Sequence, residues 1–427
     1  MTGVTVQIAV VGGGPAGLAA AGEAHAAGAR VLLVDERPAL GGRAVIVPGA
    51  RGLAEGLMRD LRAAEVWRGS LVWGLFGRTL AALHGGRTRL ATADAVILAT
   101  GALERLVPFP GWTLGGVMTV EAGWELVRAG GIGQASGPAV VAGGPDAGTL
   151  AARLAERGTG VLLISAQRPK NLPEKVPVIP GTVASARGND GSVERVLLAD
   201  GTEHECRMLC VESPRAPLVD LARLAGAPCI YQPSLGGFVP RYDRTLALHG
   251  PTAGLYIAGD AGGVDTPRAA AESGRLAARS ALGALGLLPE AGVRQDEARR
   301  QLRAASAPFV AVAREAMVIG AMPDDVVERW EGPPETIFCP CEGVSVGILQ
   351  AAVDDGARSA DELKRRTRCG MGACQWRRCG TAVMRWLSGT LDVPMGRLPL
   401  PSVRAPVRPV PLPAIAGAEA PAPALDG

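Results

Sequence analysis

Five of the eight cysteines fall between positions 339 and 379, and such clustering in a chain without secretory features argues for a metal site rather than a disulfide framework. Cys339 and Cys341 form a C-x-C hook whose short span lets both sulfurs reach one iron. Cys374 and Cys379 form a C-x4-C pair near the start of an expected helix, where N–H groups stabilise thiolates. The glycines around Met371 permit close backbone approach and N–H···S bonds that tune a potential. Four thiolates suffice for a [2Fe–2S] cluster. They also suffice for a structural zinc ion, and spacing alone leaves the two level. Cys369 is left over, either a substitute for Cys379 or a buried thiol. Cys206, Cys210 and Cys229 read as inert buried residues.

The second chemical signature lies at the other end of the chain. The apolar run Ile8–Val11 reads as a buried parallel strand, followed by Gly12, Gly14 and Gly17 at dinucleotide-fingerprint spacing. Gly12 permits the tight turn, Gly14 lets the backbone approach a pyrophosphate, and Gly17 lets the new helix pack on the sheet. Pro15 and Ala16 open that helix, whose N-terminus offers free N–H groups and a positive dipole to phosphates. A second apolar run, Val31–Val34, ends on Asp35 with Glu36 beside it, eighteen residues beyond Gly17 and placed for a ribose hydroxyl pair. Leu40-Gly41-Gly42-Arg43 brings the chain back toward the nucleotide. Thr100-Gly101, after the expected strand Ala95–Ala99, passes beside it. Far along the chain, a strand ending in Gly259-Asp260 places an aspartate for a ribityl hydroxyl, and the helix Pro267–Ala284 aims its N-terminus at the pyrophosphate or flavin ring. The bland reading of Asp260 is an Asx turn capping that helix. Paired with the N-terminal fingerprint, the motif identifies the dinucleotide as FAD. A flavin in the same chain moves the cysteine module toward iron–sulfur, because a cluster turns a two-electron carrier into a one-electron relay.

The elements that must hold these residues give an α/β fold of the two-dinucleotide-binding-domain flavoprotein type, Rossmann-like, with a small helical C-terminal module. Residues 1–108 and 240–285 form one split FAD-binding domain, and 109–239 are an inserted second domain. Residues 286–334 are a helical linker, 335–390 the cysteine module, and 391–427 a Pro/Ala-rich tail, either a lashing arm or disordered. An amphipathic helix is expected over 51–66, a β-meander over 70–93, and one helical stretch over 293–320. The inserted domain repeats the strand–turn–helix unit in degenerate form. Aligned on the strand, Ala142, Gly144 and Ala147 take the three glycine places, and the next strand ends on Ser165 rather than an acid. Arg168 is a candidate for a 2′-phosphate. A second nucleotide there, NAD(P) or ATP, is the less favoured expectation.

With 427 residues, 48% hydrophobic and 20% charged, the chain can bury a large core. A net charge of +3 shows no nucleic-acid footprint. The first core strand begins within ten residues of Met1 and no apolar stretch reaches transmembrane length, so a cytoplasmic location is expected, with any membrane contact made through a partner. His25, His84, His204 and His249 lie outside the motifs, and no residue is assigned a catalytic role.

The stretches VVGGGPAGLAAA, ATGALERLVPFPGWTLGGVMT, GLYIAGDAGGVDTPRAAAESGRLAA and CPCEGV…TRCGMGACQWRRC carry a family. The chain resembles the FAD-binding α (A) subunits of heteromeric amine-oxidising dehydrogenases. These include opine oxidase, hydrogen cyanide synthase and the dye-linked proline and hydroxyproline dehydrogenases; a more distant cousin is the sarcosine oxidase α subunit. The resemblance implies a [2Fe–2S] domain like that of bacterioferritin-associated ferredoxin, with Cys339, Cys341, Cys374 and Cys379 as ligands. It also implies partners: a small iron–sulfur subunit beside a flavin-containing, amine-oxidising β subunit. The sequence departs from the family in its middle domain, which is short after Ser165 and has Val211-Glu-Ser-Pro-Arg in place of a more glycine-rich turn.

The expected function is that of an electron-transferring subunit of a heteromeric amine or imino-acid dehydrogenase or oxidase. The alternative is a stand-alone NAD(P)H-dependent FAD reductase passing electrons to an iron–sulfur partner. A disulfide reductase is disfavoured, since neither the segment after Gly42 nor the middle domain carries a C-x-x-C or C-x4-C pair. A non-enzymatic reading is a zinc-stabilised interaction module on a flavin-binding scaffold.

Overall fold

The computed structural model describes residues 3–416 apart from 47–48, 62–63, 106, 133–136, 319–326 and 328. Near-continuous apolar runs make strands that are buried on both faces. The strand Val4–Val11 therefore lies inside a sheet, parallel to Val31–Val34 on one side and to Arg87–Leu98 on the other, with Val10 beside both Leu33 and Ile97. Arg87–Leu98 has two roles along its length. Its first half pairs antiparallel with Thr79–His84, which pairs in turn with Leu71–Phe76 to make the meander. Its last residues pair parallel with Leu255–Ile257, a strand that returns after the whole middle of the chain. The sheet is thus completed from two distant segments.

Small residues set the helix packing on this sheet. A Cβ at Gly274, in the helix Pro267–Ala284, would fall 2.0 Å from the Ala16 carbonyl oxygen in the helix Pro15–Ala26, so glycine is what lets the two helices touch. Two expectations change here. The amphipathic helix ends early, at Arg51–Arg59, and Glu65–Trp67 instead forms an edge strand parallel to Val31–Val34. The single helical stretch over 293–320 is two helices, Ala291–Ala305 and Pro308–Val318, parted before a proline that cannot donate to the preceding turn. Ala298, Leu302, Val310, Ala313 and Met317 share the core of the first sheet, so these helices pack as part of that body rather than standing apart as a linker.

The middle of the chain forms a second parallel sheet. Its strands lie in the order Val178–Ile179, Val161–Ile164, Ala139–Ala142, Met208–Val211 and Val117–Thr119. The two connections between the sheets pair with each other: Ala102–Glu104 leaves and Arg215–Pro217 returns, antiparallel. Residues beyond 336 build a third core. A hairpin (Ile337–Cys339 with Val344–Ser345) and the helices Val346–Asp354, Ala360–Thr367 and Gly380–Leu391 bury Phe338, Leu349, Leu363, Val383 and Leu387. The tail then runs back as an arm over the first sheet, where the Val407 N–H donates to the Trp73 carbonyl at 2.8 Å. Among the described residues no helix is long and apolar enough to cross a membrane.

Candidate functional site

The first glycine turn is shaped by backbone contact. Gly12 adopts a φ of 108°, and a Cβ there would fall 2.1 Å from the Ala99 carbonyl oxygen. A Cβ at Gly17 would fall 1.7 Å from the Gly12 carbonyl oxygen. Any side chain at either position would force the helix off the strand. Gly14 is different, because a Cβ there would meet no protein atom. It is the helix N-cap and offers no side-chain acceptor, so the N–H groups of the first turn and the helix dipole remain available to an anion. A bare glycine facing open space at a helix start is what close approach of a pyrophosphate requires.

Asp35 ends the neighbouring strand. Its Oδ2 accepts from the Gly13 N–H, and its Oδ1 accepts from the Arg37 N–H at 2.7 Å. Burial raises its pKa against the pull of those N–H groups. Glu36 pairs with Arg408 of the tail. Arg43 bridges to the middle domain, with Nε 3.3 Å from Glu121 and Nη2 on Asp146. Thr100 Oγ1 donates to the Leu218 carbonyl at 2.7 Å, which ties the turn after Arg87–Leu98 to the returning connection, and Gly101 follows at a φ of 75°. Gly259 adopts a φ of 65° against Ala16. Asp260 Oδ2 accepts from Arg215 Nη1 at 2.6 Å, in a pair whose side chains are 17% and 19% exposed.

All the expected cofactor residues except Gly17, which lies beneath them in the packing, line one cleft of about 760 Å³. That volume and mixed lining suit an extended dinucleotide. Residues that no local motif marks complete it: Arg215 and Asp220 from the returning connection, Arg377 from the cysteine loop, and Val407 and Arg408 from the tail. Only topology brings these in.

The cysteine loop closes on itself beside that cleft. The Sγ atoms of Cys339, Cys369 and Cys379 are buried and lie within 4.8 Å of one another. Hydrogen bonds from the Cys369 and Cys379 thiols hold Cys339 far below the usual thiol range, at about 2, and the Gly370 N–H also donates to its Sγ at 3.4 Å. Cys379 is pushed up by its contacts with the Cys339, Cys369 and Cys374 sulfurs and by burial. Its thiol in turn lowers Cys374 to about 5. Cys374 contacts Cys341, which is exposed. The five sulfurs therefore form one connected patch running from the core to the surface. By contrast, burial raises Cys206 to about 11 and Cys210 and Cys229 to about 12, as inert thiols should be.

Close approach around the sulfurs rests on glycine again. A Cβ at Gly372 would fall 2.5 Å from Cys341 Cβ. The Trp376 ring is clamped between Gly370 and Gly380, where a Cβ would come within 2.1 and 2.4 Å of it. Gln375 and Trp376 take left-handed φ values of 50° and 73°, backbone strain held between two cysteines. Arg377, next along, has Nε donating to the Cys374 carbonyl at 3.0 Å and a guanidinium in the dinucleotide cleft, 3.9 Å from Asp220. One side chain thus touches both candidate cofactor sites.

Residues 6–274 match the pyridine nucleotide-disulphide oxidoreductase family, and residues 337–388 match the BFD-like [2Fe-2S] binding domain. The second match decides between zinc and iron–sulfur in favour of the cluster. The chain is 30% identical to the A subunit of opine oxidase from Agrobacterium tumefaciens (strain Ach5), over 88% of this chain and 84% of that one. It is 28% identical to the HcnB subunit of hydrogen cyanide synthase from Pseudomonas aeruginosa, over 87% and 90% of the two chains. Its fold is that of L-proline dehydrogenase from P. horikoshii, with a TM-score of 0.78 at 22% identity over 97% of this chain and 80% of that one.

Proposed function

The chain belongs to the pyridine nucleotide-disulphide oxidoreductase family and carries a BFD-like [2Fe–2S] domain, and we propose that it is the electron-transferring subunit of a heteromeric amine or imino-acid dehydrogenase. FAD is a two-electron acceptor that can release electrons singly, and a [2Fe–2S] cluster takes them one at a time. Gly12, Gly14 and the first turn from Pro15 hold the pyrophosphate end. Asp35 serves the ribose end, and Gly259 and Asp260 the flavin end. Cys339, Cys341, Cys374 and Cys379 hold the cluster. A two-iron cluster spreads its sulfurs over more than one ion's reach, which suits a set running from buried Cys339 to exposed Cys341. Cys369 stands beside this set, its Sγ within 4.8 Å of those of Cys339 and Cys379.

The observation that carries this reading is Arg377, whose Nε bonds the Cys374 carbonyl while its guanidinium lines the dinucleotide cleft. The two cofactor sites share a wall, so the chain's own work is to bind, orient and insulate both. The relatives are named as subunits of larger enzymes, and on that ground substrate C–H oxidation falls to a flavin-containing β subunit. A further candidate partner is a small iron–sulfur subunit. Purification from native extract should bring down a second flavoprotein, with a spectrum showing flavin and [2Fe–2S] together. Oxidation of a defined amine at full rate by the purified chain alone would overturn the assignment.

A further inference from the structure

The middle domain contains a second strand–turn–helix unit, and the two turns can be compared atom by atom. In the first, the Gly12 N–H donates to the last carbonyl of the next strand, Val34. In the second, the Gly143 N–H makes the equivalent bond to Ile164 at 3.0 Å, and Gly143 also has a positive φ, 142°. Gly143 rather than Ala142 is therefore the counterpart of Gly12. Two glycines, not three, separate the strand from the proline that opens the helix Pro145–Glu156. The second turn is one residue shorter.

Its helix start is also occupied. Met208–Val211 is the parallel neighbour of Ala139–Ala142 on the side away from Val161–Ile164. The crevice between such strands, beyond their carboxyl ends, is where a dinucleotide sits in this kind of sheet. Glu212 follows Val211 directly into that crevice. Its N–H donates to the Ala142 carbonyl at 2.8 Å, and its Oε2 accepts from the Ala147 N–H at 2.9 Å. A Cβ at Gly143 would fall 2.3 Å from Glu212 Cβ, so no room remains between turn and carboxylate. Pro169 covers the next turn of the helix, 2.4 Å from where a Cβ of Gly148 would stand. Arg168 donates to the Val176 and Pro173 carbonyls at 3.0 and 2.7 Å, within its own loop. Asp146, in the first turn, is paired with Arg43 of the first domain.

We infer that Glu212 closes the middle domain to dinucleotides, its carboxylate standing where a pyrophosphate would bind. The helix that would read NAD(P)H serves as a bracket that fixes the middle domain on the FAD-binding domain through Asp146 and Arg43. This rests on the proposed electron-transfer role and removes nicotinamide as its electron source.

The test is calorimetric titration of the FAD-saturated full chain with ADP-ribose, which carries the pyrophosphate of NAD but no redox chemistry. The parent should give no saturable binding up to millimolar concentration. Glu212→Gly should acquire binding at least tenfold tighter than the parent's limit. Glu212→Gln retains an acceptor for Ala147 but not the charge, and should gain at least threefold. Its result decides the matter if the glycine variant melts early. Saturable binding to the parent, or no gain in the folded variant, overturns the inference. The two readings part on a second readout: ADP-ribose binding without anaerobic bleaching of the flavin by NADH or NADPH sinks only the role of Glu212, whereas bleaching of the parent flavin sinks the proposed function as well.

Discussion

Replacing Asp260 by alanine removes a carboxylate with two visible commitments. It accepts from Arg215 at 2.6 Å, and its Oδ1 accepts from the Asp265 N–H at 3.4 Å, at the mouth of the cleft where the flavin end is placed. A hydrogen bond involving a charged group is worth about 1.5–3 kcal/mol. At about 1.4 kcal/mol per factor of ten, loss of the bond to a ribityl hydroxyl should weaken FAD binding by ~10- to 150-fold. The change also leaves Arg215 without that ion pair at a site less than one-fifth exposed, which should cost about 1–3 kcal/mol of stability, between an exposed pair and a fully buried one, and leave the chain folded. Asp260→Asn keeps one acceptor oxygen and should fall between parent and Asp260→Ala. FAD dissociation is followed by fluorescence of the released flavin after dilution, and the cluster by its visible circular dichroism. The cluster spectrum should be unchanged, because no cysteine lines the cleft that Asp260 faces. Unaltered FAD affinity would remove Asp260 from the site. Simultaneous loss of flavin and cluster would show that the two modules do not hold their cofactors independently.

Three further outcomes are expected. Cys369→Ser should retain the [2Fe–2S] absorption and Cys379→Ser should lose it; the reverse pattern would transfer the ligand role to Cys369. Ending the chain after Leu398 removes Val407 and Arg408 from the cleft wall and the bond from Val407 to Trp73. FAD release should then quicken roughly 5- to 30-fold, about 1–2 kcal/mol, with the cluster intact, and an unchanged rate would show that the arm does not hold the cofactor. Burial raises the Glu104 carboxyl from 4.5 to about 7, so the folded state binds its proton more tightly than the unfolded state does. Its contribution to stability is complete below about pH 4.5 and is lost as pH climbs through 7. Glu104→Gln should therefore gain on the parent between pH 5 and pH 8 by up to ~3 kcal/mol, and denaturation curves giving the same difference at both pH values would contradict the burial argument.

What sequence alone could say followed the range of the physics behind each residue. Gly12 and Gly17 are demanded by backbone atoms within a few positions or on the adjacent strand, so their spacing announced the turn. Pro308, which opens the second of the two helices, is a local signal that one helical stretch should be read as two. The edge strand Glu65–Trp67 was not legible, because three residues are too few to show a period against the amphipathic pattern before them. Arg215, Arg377 and Arg408 reach the cleft from a crossover, a cysteine loop and a tail, and nothing in their neighbours' spacing marks them. Cys369 stayed ambiguous for a related reason: left-handed residues at Arg368 and Gly370 turn the chain and carry its sulfur among the others.

The two glycine turns sharpen the point. Each follows a buried strand and opens a twelve-residue helix on a proline, so local physics alone would give both the same anion site. They differ in what the next parallel strand delivers. Beyond Leu98, the partner of Val11, the chain runs Ala99-Thr100-Gly101, with nothing that reaches back onto the first helix N-terminus. Beyond Val211, the partner of Ala142, it runs straight into Glu212 and fills the second. A fingerprint is therefore half of a statement about a site. The other half is the residue that ends the neighbouring strand, small where a phosphate must enter and acidic where none is admitted. If Glu212 acts as inferred, that residue decides which of the two turns in this chain admits a nucleotide.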